Sequence, residues 1–450
     1  MGGRFRVITL GCKVNQYESA FLEEVLTRAG WSLVREGQRS DLVIVNTCIV
    51  TQRASHQSRQ EIRKALRRNP GSLVAAVGCY AQVFPEELSR IGGVRLIVDN
   101  RRKREFARLV PMALRSEGRA VFLGEFEEGM AFDCLEVSRF SGRTRAFLKI
   151  QDGCEAFCSY CIVPSARGPY RSLPPAEVLH MVESLAENGH KEIVLTGIHL
   201  GMYGVDLTPK MDLKDLLRQI GKEKFPLRIR MSSLEPNEID SELIEMVASE
   251  GWLCRHFHIP LQSGDDRILR RMNRRYTAAA FERLVGSIHD SIPLVAIGVD
   301  VMAGFPGEDM TAHNNTCTLL NDLPVAYLHV FPFSPRKGTA AAKMDGQVAP
   351  AIIKKRSAEL RELGAKKRGL FYDGCVGEVF EVLSERWHLG QEEIMEGRSD
   401  NYLPVRFPFP GGGTGRFVPV RVELNEASHL RGEVYEADFP LFRPDAADVV

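Results

Sequence analysis

Short apolar runs, each bounded by turn residues and followed by a segment of helical period, recur through the first three quarters of the chain. Phe5 to Leu10, Asp41 to Val45 and Leu73 to Val77 are three of them, and Val94 to Val98 is a fourth. The first three predict parallel strands of an open sheet. A helix is expected from Arg101 to Leu114, and Ser116 to Arg145, which mixes glycine with charges, is expected to be a linker. From Ala146 onward the alternation resumes: Ala146 to Ile150, Glu192 to Thr196, Leu227 to Met231, Phe257 to Ile259, Leu294 to Val301 and Tyr327 to Phe331. About six β/α units follow, which suits an incomplete barrel better than an eight-unit one. Beyond Tyr372-Asp373-Gly374 the period shortens to that of small alternating strands: Gly377 to Leu383, Tyr402 to Phe407, Phe417 to Val422 and Gly432 to Tyr435. A small closed β-structure fits that pattern. The expected fold class is therefore α/β, with an amino-terminal open parallel sheet (residues 1–115), a central partial (β/α)6 barrel (140–370) and a carboxy-terminal all-β barrel (371–442).

The residues placed directly after the first three strands give this pattern its chemistry. They are Gly11-Cys12, Asn46-Thr47-Cys48 and Gly78-Cys79. In an open parallel sheet the carboxyl ends of the strands share the edge where ligands bind, so cysteines far apart in sequence converge there. One such cysteine reads as a small buried residue. Three at equivalent places point to ligation of a metal cluster.

A second set lies in one stretch, Asp152-Gly153-Cys154-Glu155-Ala156-Phe157-Cys158-Ser159-Tyr160-Cys161. A four-iron four-sulfur cluster takes one thiolate per iron, so a local set of three leaves one iron open to an exchangeable ligand. Gly153 and Pro164 favour an irregular loop around such a cluster. The alternatives are a zinc site short of one ligand, or three thiols on one helix face, which offsets of four and seven also allow.

Composition narrows the setting. Across 450 residues, Lys plus Arg number 59 and Asp plus Glu 58, so no global basic field announces a nucleic acid. Ten cysteines without a secretory signal at the start fit reduced thiols and metal ligands, and a cytoplasmic location is expected. The longest apolar stretch, Pro293 to Pro306, is too short for a bilayer and contains Asp300, so no membrane passage is expected. Cys254 and Cys317 read as core residues, and His199 and His258 as structural. The run Arg267, Arg270, Arg271, Arg274, Arg275 beside Tyr276 reads either as a solvated helix face or as a phosphate-binding surface.

The spacing of Cys154, Cys158 and Cys161, with Tyr160 before the last, resembles the cluster loop of the radical S-adenosylmethionine enzymes. Leu10-Gly11-Cys12-Lys13-Val14-Asn15-Gln16-Tyr17-Glu18-Ser19 further resembles the amino-terminal domain of the methylthiotransferases of that superfamily. The resemblance implies two 4Fe-4S clusters: a radical cluster on Cys154, Cys158 and Cys161, and an auxiliary one on Cys12, Cys48 and Cys79. It makes Gly197, Ser232, Glu235 and Gln262, at successive strand ends, the expected S-adenosylmethionine contacts; for each alone, a turn or helix cap is the ordinary alternative. Gly397-Arg398-Ser399-Asp400-Asn401-Tyr402 resembles part of the TRAM domain, a small RNA-binding barrel.

Lys13 to Tyr17, Tyr160 to Pro164 and Ala166-Arg167-Gly168 resemble the branch acting on N6-threonylcarbamoyladenosine beside the tRNA anticodon. The implied reaction is methylthiolation of adenine C2, with two molecules of S-adenosylmethionine per turnover, one giving a methyl and one a radical. Adenine C2 lies on the pairing edge, so a splayed anticodon-loop nucleotide is a cheaper target than a duplex base. A reducing electron donor of flavodoxin or ferredoxin type and a monomeric enzyme are also expected. The alternatives are action on N6-isopentenyladenosine in tRNA or on a ribosomal-protein aspartate. A different class is a non-enzymatic iron–sulfur electron carrier or RNA-binding regulator.

Overall fold

The computed structural model describes residues 2–140, 142–388 and 391–435; the last part of the expected carboxy-terminal barrel, residues 436–442, lies outside the described residues. The amino-terminal sheet comprises β1 (Arg4–Thr9), β2 (Ser32–Leu33), β3 (Leu42–Thr47), β4 (Leu73–Gly78), β5 (Val94–Val98) and β6 (Ala120–Phe122). Its order is β2-β1-β3-β4-β5-β6, all parallel. β3 and β4 are buried along their whole lengths, which is why they read as continuous apolar runs instead of alternating ones.

The central region contains β7 (Arg145–Lys149), the short antiparallel pair β8 (Gln151–Asp152) and β9 (Arg171–Ser172), then β10 (Glu192–Thr196), β11 (Arg228–Met231), β12 (His256–Gln262), β13 (Ala296–Ala303) and β14 (Tyr327–Pro332). Two parallel sheets, β11-β10-β7 and β12-β13-β14, meet where the Leu234 N–H donates to the His258 carbonyl at 3.0 Å. Together they make the open, six-unit barrel expected from the sequence. The stretch between the first sheet and β7 is irregular beyond β6, yet it is not loose: Leu135, Val137 and Phe140 are buried in one apolar core shared by both sheets.

At the carboxyl end, β15 (Val379–His388), β16 (Gln391–Ser399), β17 (Pro404–Pro408), β18 (Phe417–Asn425) and β19 (Leu430–Val434) close into a five-stranded barrel. Two buried arginines of β11 hold it to the centre. Arg228 donates to the carbonyls of Glu381 and Arg398, and Arg230 to those of Ser399 and Asp400. Glu192 on β10 accepts from both guanidinium groups at 2.8 Å. Arg255 adds a pair with Asp400 at 2.6 Å. The segment that resembles TRAM is thus, on this side, a docking surface. No helix among the described residues is long and apolar enough to cross a membrane.

Candidate functional site

The carboxyl edge of the first sheet brings Cys12, Cys48 and Cys79 together. Cys12 caps the helix Lys13–Arg28, so its sulfur lies at the end of the helix that favours negative charge. Gly11 and Gly78 precede two of the cysteines, each with φ of +95°. A Cβ on Gly11 would fall 2.7 Å from the Cys48 sulfur, and one on Gly78 2.5 Å from Asn46 Oδ1. Only glycine permits both the backbone and the approach. Thr47 ties its strand to the next by donating to the Val77 carbonyl at 2.5 Å.

The surroundings of these sulfurs are cationic. Arg167 faces Cys12 and Cys79, Lys103 faces Cys79, and Arg336 faces Cys48. Asn100 Nδ2 lies 3.6 Å from the Cys79 sulfur. Burial pushes the Cys48 thiol up to about 12. A free thiolate is therefore disfavoured there, whereas a metal-bound sulfur facing fixed cations is favoured. Neither cysteine set has its three sulfurs within 4.8 Å of one another, since the one such group of metal-ligating side chains among the described residues is His258, Asp300 and His329. A single zinc would need sulfurs about 4 Å apart, given Zn–S bonds of about 2.3 Å. The positive surroundings fit an anionic cluster with one thiolate per iron.

Cys154, Cys158 and Cys161 lie on a loop that is not helical, which removes the helix-face alternative. Gly153 has φ of +79°, and a Cβ there would overlap the Pro169 carbonyl oxygen. Gln151 braces the turn by donating to the Asp152 and Gly153 carbonyls at 2.9 and 3.0 Å. Arg274 faces Cys158 and Cys161, donates to both Glu235 oxygens at 2.6 Å and reaches the Tyr160 hydroxyl at 2.9 Å. The arginine run is split: Arg267, Arg270 and Arg275 are exposed, as a solvated face would have them, whereas Arg274 turns into the site. Besides Arg274, Arg267 pairs with Asp309 and Arg271 with Asp345, each at 2.7 Å, and Tyr276 is buried with its hydroxyl on the Pro260 carbonyl.

His199, expected to be structural, stands in the site. Its Nδ1 is 3.5 Å from the Cys154 sulfur and 3.2 Å from the Tyr170 hydroxyl, and its Nε2 meets Glu238. Burial works against its charge, but the contacts to Cys154 and Glu238 prevail and lift it to about 10. His258 is held by Asp300 at 2.8 Å and by Tyr327 at 3.2 Å, and His329 lies 3.4 Å from the same Asp300 oxygen, so this group is closed by its own hydrogen bonds.

Of the four expected cofactor contacts, Gly197 packs against Gln151, where a Cβ would fall 2.8 Å from Oε1. Ser232 is buried with its N–H on the Leu195 carbonyl, and Glu235 is engaged by Arg274. Gln262 takes φ of +63° and lines a cleft of about 200 Å³. That cleft is bounded by Val50 and Thr51, just past Cys48, by Tyr160, next to Cys161, and by Asp300, Phe331 and Arg336. Residues adjoining one cysteine of each set therefore border one space.

Residues 4–99 match the family described as Uncharacterized protein family UPF0004, and residues 148–320 match the Radical SAM superfamily. The chain is 38% identical over 399 residues to the threonylcarbamoyladenosine tRNA methylthiotransferase MtaB of Aquifex aeolicus, covering 88% of this chain and 97% of that one. It is 35% identical to the Bacillus subtilis protein of the same name, with 92% of each chain covered. A tRNA-2-methylthio-N(6)-dimethylallyladenosine synthase of Oceanobacillus iheyensis is 30% identical, over 97% of this chain and 85% of that one. Among solved structures, the radical S-adenosylmethionine methyltransferase TsrM of Kitasatospora setae aligns with a TM-score of 0.56 at 19% identity, covering 74% of this chain and 75% of that one, a likeness of fold alone.

Proposed function

The chain belongs to the tRNA methylthiotransferase family of the radical S-adenosylmethionine superfamily, and from that premise we propose that it converts N6-threonylcarbamoyladenosine beside the tRNA anticodon to its 2-methylthio form. The observation that carries this reading is a cleft bordered by Val50 and Thr51, just past Cys48, by Tyr160, beside Cys161, and by Gln262. When bound, the two four-iron four-sulfur clusters and S-adenosylmethionine supply hydrogen abstraction at adenine C2 and a methylated sulfur.

The protein's own residues orient and enclose. Cys154, Cys158 and Cys161 would hold the radical cluster, and Cys12, Cys48 and Cys79 the auxiliary one. Gly197, Ser232, Glu235 and Gln262 would border S-adenosylmethionine, with Glu235 kept in place by Arg274. Phe331 and Phe333 give the cleft apolar walls that exclude water from the reacting carbon. The residue spans 1–115, 140–370 and 371–442 serve as sulfur-delivering, radical and TRAM-like RNA-binding domains. Phosphate contacts by the last would draw in the anticodon arm. A monomer in the cytoplasm, reduced by a flavodoxin or ferredoxin, completes the reading.

Neither enzymatic alternative is favoured, and the gradient of similarity supports the threonylcarbamoyl substrate: relatives named for it reach 38%, against 31% for those named for dimethylallyladenosine. A non-enzymatic carrier would not need two sets of three cysteines, each leaving one iron open. Mass spectrometry of tRNA nucleosides from cells with and without the protein tests the proposal. Loss of 2-methylthio-N6-threonylcarbamoyladenosine, with its unmodified precursor accumulating, is expected. Unchanged levels would overturn it.

A further inference from the structure

A group of buried charges lies between the two cysteine sets and is not explained by cofactor contact. Glu18 comes from the helix that begins after Cys12, Lys103 from beyond β5, Lys149 and Asp152 from the strands before Cys154, and Arg167 and Arg171 from just after Cys161. Glu18 pairs with Lys103, Lys149 and Arg167. Asp152 pairs with Lys149 at 3.0 Å, Arg167 at 3.4 Å and Arg171 at 3.8 Å. All six side chains are at most 9% exposed. Four cations against two carboxylates leave two positive charges without a counter-ion among the described residues. The Nε atoms of Arg167 and Arg171 are buried without a partner among the described residues. Buried charge of this kind is costly unless an anion compensates it.

Arg167 and its neighbour Ala166 also fix the first sheet's edge. Arg167 Nη2 donates to Asn15 Oδ1 at 2.9 Å, and Asn15 Nδ2 in turn holds the carbonyls of Leu10 and Thr47 at 2.7 and 3.0 Å, just ahead of Cys12 and Cys48. Asn100 donates to the Ala166 carbonyl at 2.8 Å while its Nδ2 approaches the Cys79 sulfur. Ala166 and Arg167 are thus linked to all three cysteine-bearing strand ends, from a position only five and six residues past Cys161.

We infer that Arg167 is a positioning residue for methylthiolation: it locks the two cysteine sets in one geometry, and the buried positive group centred on it is the counter-ion that raises the reduction potential of the cluster on Cys12, Cys48 and Cys79. Net charge around a cluster is one of the main determinants of its potential. This inference rests on the proposed function, in that a cluster must form on those three cysteines.

The test uses the full chain with Cys154, Cys158 and Cys161 changed to alanine, reconstituted with iron and sulfide, and followed by potentiometric titration with EPR detection. Into it are placed Arg167→Gln, Arg167→Lys and Glu18→Gln. The expected shifts are opposite in sign: more negative for Arg167→Gln, more positive for Glu18→Gln, and close to the parent for Arg167→Lys. In the chain with all its cysteines, Arg167→Lys should keep 5′-deoxyadenosine formation while the ratio of methylthio product to 5′-deoxyadenosine falls about tenfold, because charge survives and the two-pronged lock does not. Should Arg167→Gln fail to fold, Glu18→Gln and Arg167→Lys still decide. Potentials that stay at the parental value, or move in one direction for both glutamine variants, overturn the inference. Absence of any cluster in the parent would instead overturn the function proposed above.

Discussion

The Nδ1 of His199 lies 3.5 Å from the sulfur of Cys154, and Glu238 holds the other ring nitrogen. A hydrogen bond to a charged group contributes roughly 1.5 kcal/mol or more. Replacing His199 with glutamine should therefore slow 5′-deoxyadenosine formation about tenfold with iron content unchanged. Assay of the two on one preparation checks it, and an unchanged rate would remove His199 from the site.

Gly78 combines φ of +95° with ψ of −160°, a region that side chains avoid. Alanine at Gly78 or Gly11 should cost about 1–3 kcal/mol of backbone strain on top of the clash with Asn46 or Cys48. Either variant should lose iron from the first cysteine set while 5′-deoxyadenosine formation persists. Retention of the full iron complement would show that the cradle tolerates a Cβ.

Changing Cys12, Cys48 and Cys79 to alanine together should roughly halve the iron, if each set holds an equivalent cluster. Reductive cofactor cleavage should continue and the methylthio nucleoside should vanish. Persistent nucleoside would mean that sulfur is delivered from elsewhere.

Glu192 is buried, and although burial alone would raise its pKa, Arg230 and Arg228 hold it far below the ordinary 4.5. The unfolded chain then takes up a proton at a pH where the folded one does not, so this pairing stabilises fully above 4.5 and is progressively lost as pH falls below it. Melting temperature should drop steeply between pH 5 and 3. Glu192→Gln should be less stable at pH 7 and flatter across that range; equal slopes would refute the assignment.

Arg416 and Arg421 are exposed on the carboxy-terminal barrel. Glutamine at both should weaken tRNA binding and lower the slope of log affinity against log salt by about 2, one for each phosphate no longer neutralised. An unaltered slope would place the RNA on another face. Deleting the barrel is a poorer test, because Arg228 and Arg230 would be left without the carbonyls they grip.

Much of this is legible in the sequence because the relevant signals are local. Val94 to Val98 and Glu192 to Thr196 are strands with the bounds read from their apolar runs, and a glycine before Cys12 and Cys79 marks where a strand must turn sharply. The misses share a cause. β16 reads QEEIMEGRS, too polar to look like a strand, and exists because closure of the barrel pairs it on both sides. Glu18 and Asn15, two partners of Arg167, lie 149 and 152 positions away, and Arg274 meets Glu235 across 39. Pairing at such distances leaves no local trace, so Arg274 looks like surface along with its exposed neighbours. The apolar neighbours of His199 suggest a structural residue in the same way, whereas its role comes from a loop that returns to Cys154.

The buried segment around Leu135, Val137 and Phe140 changes how the protein can be handled. Tyr17 of the first helix donates to the Leu135 carbonyl, and this segment joins the amino-terminal sheet and the open barrel in a continuous apolar core. A cut there would give two fragments, each with a raw apolar face and half of a charge network. The halves should accordingly melt together in one cooperative transition, and separately expressed pieces should aggregate unless they are made in the same cell. An inserted protease site between Phe132 and Phe140 should remain uncleaved until the whole unit unfolds.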